Sequence, residues 1–243
     1  MASIIIIGDE ILSGRTADTN SHFLCKRLHE LGIRVSRITT IPDKIQTIVE
    51  TTRSYARRAD YVLITGGIGP TPDDLTRQAI ALAFNRQLVR HPEAERIVRD
   101  AYREKINHYR LEMTRLPKGA KLIKNPRLAV PGFIVENVFV FPGVPQLMRE
   151  MFEQIAPQLR EGRFYELKIA TDLAESEFSE ILHTLKPKPG VSVGSYPTLH
   201  EGGNWSVELV ISGTDEAGVA ETAGALETEL RNLERSLLSN EFN

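Results

Sequence analysis

Apolar and polar positions along the chain switch repeatedly between a strand-like and a helix-like period. Ala2–Ile7 is a largely β-branched run that stops at Gly8, the pattern of a strand buried on both faces. Thr19 is placed to cap a helix that carries Leu24, Leu28 and Leu31 on one face and ends at Gly32, and Arg34–Ile41 follows as a second strand. Pro42-Asp43 opens a helix with Ile45, Ile48, Val49, Thr52 and Ala56 at helical spacing, and Tyr61–Thr65 reads as a third buried strand. A β-α-β-α-β order predicts a right-handed, mostly parallel sheet with helices on both faces and a ligand site beyond the carboxyl ends of the strands. Gly8, Pro42 and Gly66 all fall at that edge.

Further helices are predicted from Asp74 to about Phe84 and from Pro92 to Tyr109. Lys121–Ile123, Phe133–Val135 and Val138–Phe141 read as short strands, the last two turned by Glu136-Asn137. Pro142-Gly143-Val144-Pro145 leads into a helix bearing Leu147, Met148, Met151, Phe152 and Ile155. Beyond Leu159–Arg163 the order becomes β-α-β-β-α: Phe164–Ala170, a helix from Ala174 to Leu185, Val191–Tyr196, Trp205–Ile211, and a helix from Asp215 to Leu237. Residues 1–160 and 164–243 are thus expected to be two domains. In the last helix Val219, Ala223, Leu226, Leu230, Leu233 and Leu237 repeat at 4-3-4-3-4 spacing, which suits packing on its own sheet or a dimer seam.

Composition narrows the function classes. With 243 residues, 41% of them hydrophobic, the chain can bury a sizeable core, and a formal charge of −2 provides no global field to attract nucleic acid or an anionic membrane. The one cysteine, Cys25, forms no internal disulfide or cysteine-based zinc site. Ile4–Ile7, the longest apolar run near the start, is far shorter than a signal core or a membrane span, so a cytoplasmic protein is expected.

The most informative stretch is Thr65-Gly66-Gly67-Ile68-Gly69-Pro70-Thr71-Pro72-Asp73-Asp74-Leu75-Thr76: a strand end, three glycines, two acids and a helix start. Glycines let backbone N–H groups approach an anion and the helix adds its positive end, so phosphate binding is expected; the plainer reading is a tight turn with Asp73 or Asp74 as an N-cap. The loop lacks the Gly-Lys-Ser/Thr of a Walker loop, and its glycines are misplaced for the dinucleotide fingerprint. Asp9, Asp43, Asp73 and Asp74 converge at the same sheet edge and are candidate ligands for a divalent metal, which neutralises charge on a transferred phosphorus. Pro142-Gly143 and the Asn125–Gly132 stretch are further candidate ligand loops. The six histidines have no zinc spacing, with His22 and His29 read as surface residues; no serine sits in a nucleophile elbow, and Cys25 reads as a packing residue.

Gly8-Asp9-Glu10-Ile11-Leu12 with Gly14 and Asp18-Thr19-Asn20, the glycine loop through Thr76, and Pro142-Gly143-Val144-Pro145 together closely resemble the N-terminal region of the competence/damage-inducible CinA family. That region is related to the molybdopterin-binding fold of the MoaB/MogA proteins and to a domain of eukaryotic FAD synthase. The resemblance implies a three-layer α/β/α domain with a mostly parallel sheet, followed by a small α+β unit like the K-homology-like domain of CinA proteins. It places catalytic carboxylates at Asp43 and Asp74; taken with the convergence at the sheet edge, metal ligands are expected at Asp9, Asp43 and Asp74, and nucleotide or pterin-phosphate contacts at Thr65, Gly66, Gly67, Gly69, Thr71, Asp73, Thr76, Asn125, Pro142 and Gly143. CinA relatives hydrolyse ADP-ribose with a divalent metal, so the expected function is a metal-dependent pyrophosphatase acting on an ADP-ribose- or FAD-like dinucleotide. Magnesium is the expected metal, with cobalt or manganese as substitutes. The alternatives are adenylyl transfer to molybdopterin and a non-catalytic nucleotide-binding module.

Two departures qualify the resemblance. The C-terminal deamidase domain of full-length CinA has no counterpart before Asn243, so that activity is expected to be absent, and the usual Asn-Pro-x-Gly is here Asn125-Pro126-Arg127-Leu128, where Arg127 adds a potential phosphate contact. The Leu173-Ala174-Glu175-Ser176 turn lacks the basic Gly-x-x-Gly loop of RNA-binding K-homology domains, so no nucleic-acid partner is expected. The expected partners are a small-molecule nucleotide or molybdopterin and further copies of the chain in a dimer or trimer, without a membrane.

Overall fold

A computed structural model describes residues 1–125, 129, 131–159, 163–200 and 203–241. The chain divides into two compact units, Met1–Arg160 and Glu161–Asn243. In the first, β1 (Ala2–Ile7), α1 (Asp9–Leu12), α2 (Asn20–Glu30), β2 (Val35–Ile41), α3 (Ile45–Ala56), β3 (Tyr61–Thr65) and α4 (Thr76–Ala83) follow in order. After them come β4 (Leu88–Arg90), α5 (Pro92–Tyr102), α6 (His108–Glu112), β5 (Arg115–Pro117), β6 (Lys121–Ile123), β7 (Gly132–Val135), β8 (Val138–Phe141) and α7 (Pro145–Ile155).

Six strands form one sheet in the order β2-β1-β3-β8-β7-β6, and of these β7 alone runs against the rest. The pleat explains the run at the N-terminus: Ile5 and Ile7 enter one core with Ile48, Val49 and Ile80, while Ile4 and Ile6 enter a second core with Leu24, Leu28, Met148 and Phe152. Helices α3 and α4 cover one face and α2 and α7 the other, the three-layer α/β/α arrangement. Each fully buried isoleucine contributes about 1.5–3 kcal/mol relative to exposure, so β1 stabilises both cores at once. Register places Ile7 beside Ile41 and Thr65 beside Phe141, which brings the residues after all four strands to a single edge.

Several local expectations change. Helix α3 starts at Ile45 and α4 at Thr76, so Asp43 and Asp74 lie in the turns ahead of their helices. The expected helix from Pro92 to Tyr109 breaks after Tyr102: Arg103 takes a φ of +46°, and Asn107 caps α6 by accepting from the Arg110 N–H at 2.9 Å. Its apolar stripe runs out after Ala94 and Val98, and the competing cap residue then stops one helix and starts another. Tyr109 is exposed, and β4 pairs antiparallel with β5 across both helices, a sheet the periodicity did not reveal. Thr19 makes no side-chain cap; Asp18 accepts from the Asn20 and Ser21 N–H groups instead. The Arg127 expectation, with the Pro126 and Leu128 positions, lies outside the described residues.

The second unit is a three-stranded antiparallel sheet, β10 (Val191–Leu199), β11 (Trp205–Gly213) and β9 (Tyr165–Thr171) in that order, with α8 (Glu175–Thr184) and α9 (Glu216–Glu241). Val207, Leu209 and Ile211 on β11 bury against Val219, Ala223, Leu226 and Leu230 of α9. Of the heptad-like residues, these four and the partly buried Leu233 therefore face their own sheet. Among the described residues no helix is long and apolar enough to cross a membrane.

Candidate functional site

The edge where β1, β2, β3 and β8 end is closed by backbone approach. Gly66 has a φ of +105°, and a Cβ there would lie 2.1 Å from the Ile7 carbonyl oxygen, so only glycine lets β3 turn this close to β1. Its N–H donates to the Phe141 carbonyl at 3.1 Å. From here three side chains fasten the loop. The buried Thr76 hydroxyl donates to the Gly66 carbonyl at 2.9 Å, and the Arg77 guanidinium donates to the carbonyls of Ile68 and, at 2.9 Å, of Gly69. Asp74 accepts from the Gly69 N–H at 2.7 Å, the Thr71 N–H at 2.8 Å and the Thr71 hydroxyl. Two consecutive donors remain, the N–H groups of Gly67 and Ile68, which have no hydrogen-bond partner among the described residues. Such an adjacent pair on a pre-set loop is the element that takes up a phosphate oxygen.

Both peptides line a cleft of about 590 Å³, together with Gly8, Glu10, Asp43, Asp73 and Asp74. Pro142, Gly143 and the start of α7 close its other side. Asp43 stands at the centre of the acidic wall: its Oδ2 accepts from the Asp9 N–H at 3.0 Å, and its Oδ1 lies 3.5 Å from where a Gly67 Cβ would be. Desolvation pushes the Asp43 carboxyl above its ordinary value; the Asp9 N–H pulls it back, and the charges of Asp9, Glu10 and Asp73 add to the rise. A cation at this wall would relieve that repulsion.

The expected site residues divide into groups. Asp43, Asp73, Asp74, Gly66, Gly67, Gly69, Pro142 and Gly143 share the cleft. Thr65 and Thr76 are buried, at 1% and 0% exposure; Thr76 holds the loop through the Gly66 carbonyl, and the Thr65 hydroxyl accepts from Asn20 Nδ2 at 3.5 Å. Thr71 ties to Asp74, and the Asn125 amide donates to the Met151 sulfur at 3.6 Å, away from the cleft lining. Asp9 acts through its backbone N–H, and Glu10 is the acid that lines the cleft in its place. Among the described residues no three His, Cys, Asp or Glu side chains converge to hold a metal, so Asp9, Asp43 and Asp74 do not form a ready-made cage.

Three contributors were not foreseen: Glu10, Arg77 and Asn20. Arg77 is 9% exposed; burial lowers its guanidinium below the ordinary value, opposed by the charges of Asp74 and Glu112. The visible signal was a charge three and four residues before Ile80 and Ala81 on the buried face of α4. Asn20, at the start of α2, donates from Nδ2 to the Gly143 carbonyl at 2.8 Å and thereby ties α2 to the loop after β8. A second cleft of about 510 Å³ is lined by Arg77, Arg86 and Arg115, but Arg86 pairs with Glu136 at 3.2 Å and Arg115 with Glu112 at 3.3 Å, so neither charge is free for a ligand.

An α/β/α layer structure with a glycine loop and an acidic wall at the carboxyl edge of a mostly parallel sheet defines the class of α/β domain whose ligand crevice lies beyond the strand ends. Residues 3–161 match the family described as "probable molybdopterin binding domain", and residues 163–235 match "FAD synthase, middle domain". The chain belongs to the molybdopterin-binding-domain family. It is 38% identical over 196 residues to a protein of Archaeoglobus fulgidus, covering 80% of this chain and 84% of that one. It is 34% identical to a "probable FAD synthase" of Caenorhabditis elegans over 96% of this chain but only 49% of that protein, so it spans about half of that relative. Among solved structures, the protein CinA of Thermoplasma acidophilum, described as of unknown function, superposes with a TM-score of 0.62 at 30% identity, covering 65% of this chain and 96% of that one.

Proposed function

We propose that the cleft holds the pyrophosphate of a dinucleotide such as ADP-ribose or FAD and directs metal-assisted hydrolysis at one of its phosphorus atoms. The observation that carries this reading is the adjacent pair of N–H groups at Gly67 and Ile68, without a partner among the described residues, on a loop fastened by Asp74, Thr76 and Arg77 and beside Asp43. In this reaction water adds to phosphorus, the bond to the bridging oxygen breaks, and two monophosphates leave. The likeness of the second unit to the FAD synthase middle domain supports a flavin-type dinucleotide among the candidates.

The residues present fit a divalent cation brought in with the substrate. Magnesium is commonly held by one or two carboxylates, substrate phosphates and water rather than by a protein cage. Asp43 is the carboxylate for that role, with Glu10 and Asp73 on the same wall, and cobalt or manganese meets the same oxygen donors. Once bound, the metal supplies charge neutralisation for the phosphoryl oxygens. The chain's own work is positional: Gly67 and Ile68 orient a phosphate, Asp74 and Arg77 keep the loop in shape, and Pro142-Gly143 bounds the nucleoside side. The family match favours a second reading, adenylyl transfer from ATP to molybdopterin in the same cleft.

Chromatography after incubation of ADP-ribose, FAD, NAD and ATP with the protein and magnesium, cobalt or manganese tests the proposal, with Asp43→Asn in parallel. Release of AMP from a dinucleotide, abolished in the variant, is the expected result. Survival of every nucleotide overturns it, and formation of adenylylated pterin on adding molybdopterin would establish the second reading.

A further inference from the structure

Beside the cleft lies a recess of about 60 Å³ that shares Ile7, Glu10 and Gly143 with it. Its wall holds Asn20, whose side chain is among the few buried polar groups of the unit at 6% exposure. The orientation of this amide is fixed, because the Gly143 carbonyl can only accept and must face Nδ2. The other end, Oδ1, is buried and has no hydrogen-bond partner among the described residues. A buried acceptor left unmade is costly, and its retention calls for a donor that the chain itself does not provide.

The rest of the wall adds one carboxylate, from Glu10, and the hydroxyls of Thr16, Thr19 and Thr65, which can donate or accept, and among the described residues no lysine, arginine or histidine lines the recess. The Asp18 carboxylate is already satisfied by the N–H groups of Asn20 and Ser21 and by the Ser21 hydroxyl. With a carboxylate and no cation on its wall the recess disfavours phosphate or carboxylate, and the unmade Oδ1 favours an N–H donor. The volume is about that of two water molecules, enough for an amino group at the edge of a base and too small for the base itself.

We infer that this recess is a donor-selective subsite, in which Asn20 Oδ1 accepts a hydrogen bond from an exocyclic amino group of the base of a nucleotide held in the cleft. The assignment rests on the proposed nucleotide cleft and adds to it the part of the base that is read. It makes Asn20 a specificity-determining residue, with Nδ2 spent on Gly143 and Oδ1 on the ligand.

Calorimetric titration of the full chain with AMP, GMP and IMP in magnesium buffer, with inorganic pyrophosphate as a base-free control, tests it. IMP has neither amino group, AMP has the 6-amino group and GMP the 2-amino group, so the two arms report which edge enters. One of AMP or GMP is expected to bind about tenfold or more tightly than IMP, the effect of facing a buried acceptor with a carbonyl or nothing in place of a donor. In Asn20→Ala that ratio is expected to fall to near one, whatever happens to absolute affinity. Equal binding of all three nucleotides overturns the subsite and leaves the cleft standing, as a water molecule would then satisfy Oδ1. Pyrophosphate binding without nucleotide binding also overturns the subsite, and failure of every ligand overturns both readings. An undiminished ratio in Asn20→Ala refutes the role of Asn20; should that variant not fold, the wild-type ratio decides.

Discussion

Replacing Gly66 by alanine puts a methyl carbon 2.1 Å from the Ile7 carbonyl oxygen, where contacts under 3.0 Å are not sustained. The ends of β1 and β3 must therefore separate by about 1 Å, while the backbone stays at a φ of +105° that alanine resists. Strain of about 1–3 kcal/mol is one part of the cost. The other is weakening of the bonds that close this edge, from the Gly66 N–H to Phe141 at 3.1 Å and from the Gly8 N–H to Ile41 at 3.2 Å, each worth about 0.5–1.5 kcal/mol. Together they come to about 2–6 kcal/mol, or roughly 10 °C in melting temperature for a unit of this size. Gly14→Ala is the control: its φ is +72°, but nothing lies within 4 Å of the added carbon, so only the strain of about 1–2 kcal/mol applies. Thermal unfolding followed by circular dichroism, with pyrophosphate binding measured alongside, separates the two. Gly66→Ala should lose both stability and binding, and Gly14→Ala a few degrees only; equal shifts would refute the close approach of the two strands as the reason for glycine.

Three other substitutions test the division of labour around the loop. Asp43→Asn should abolish turnover yet raise the melting temperature at about pH 7: the folded carboxyl titrates above its ordinary value, so its favourable contribution holds in acid and is lost as pH rises through that value. The advantage of the variant should vanish near pH 4 and shrink when magnesium is added, and a variant less stable than wild type at neutral pH would contradict this. Asp74→Asn is expected to cost about 1.5–3 kcal/mol because an amide cannot accept from Gly69, Thr71 and the Thr71 hydroxyl together; denaturant unfolding checks it. Arg77→Met should leave the Ile68 and Gly69 carbonyls without their donor and cost about 2–4 kcal/mol after relief of desolvation, with Arg77→Lys intermediate. Unaltered pyrophosphate affinity in Arg77→Met would separate that residue from the loop's function.

What was legible in the chain follows from how many physical signals each element carried. β1 was readable because burial on both faces demands a run such as Ile4–Ile7, and α7 because Leu147, Met148, Met151, Phe152 and Ile155 keep strict helical spacing behind a proline at its first turn. The glycine loop was readable as a place, since three glycines at a strand end are costly unless backbone must come close to something. Its wiring was not. Two acids ahead of a helix suit a cap, a metal ligand and a loop fastener equally, and only the positions of the Gly69 and Thr71 N–H groups show that Asp74 fastens the loop while Asp43, from a different strand, faces the cleft. Asn20 illustrates the same limit from the other side: an asparagine just inside a helix reads as capping chemistry, whereas its amide spans to Gly143, 123 positions away in sequence. Fold is written in periodic patterns that repeat over many residues, but the polar connections that prepare this cleft are single long-range bonds. The residues whose local reading was blandest, a buried arginine and a buried asparagine, are accordingly the ones that hold carbonyls of the two loops bordering the cleft.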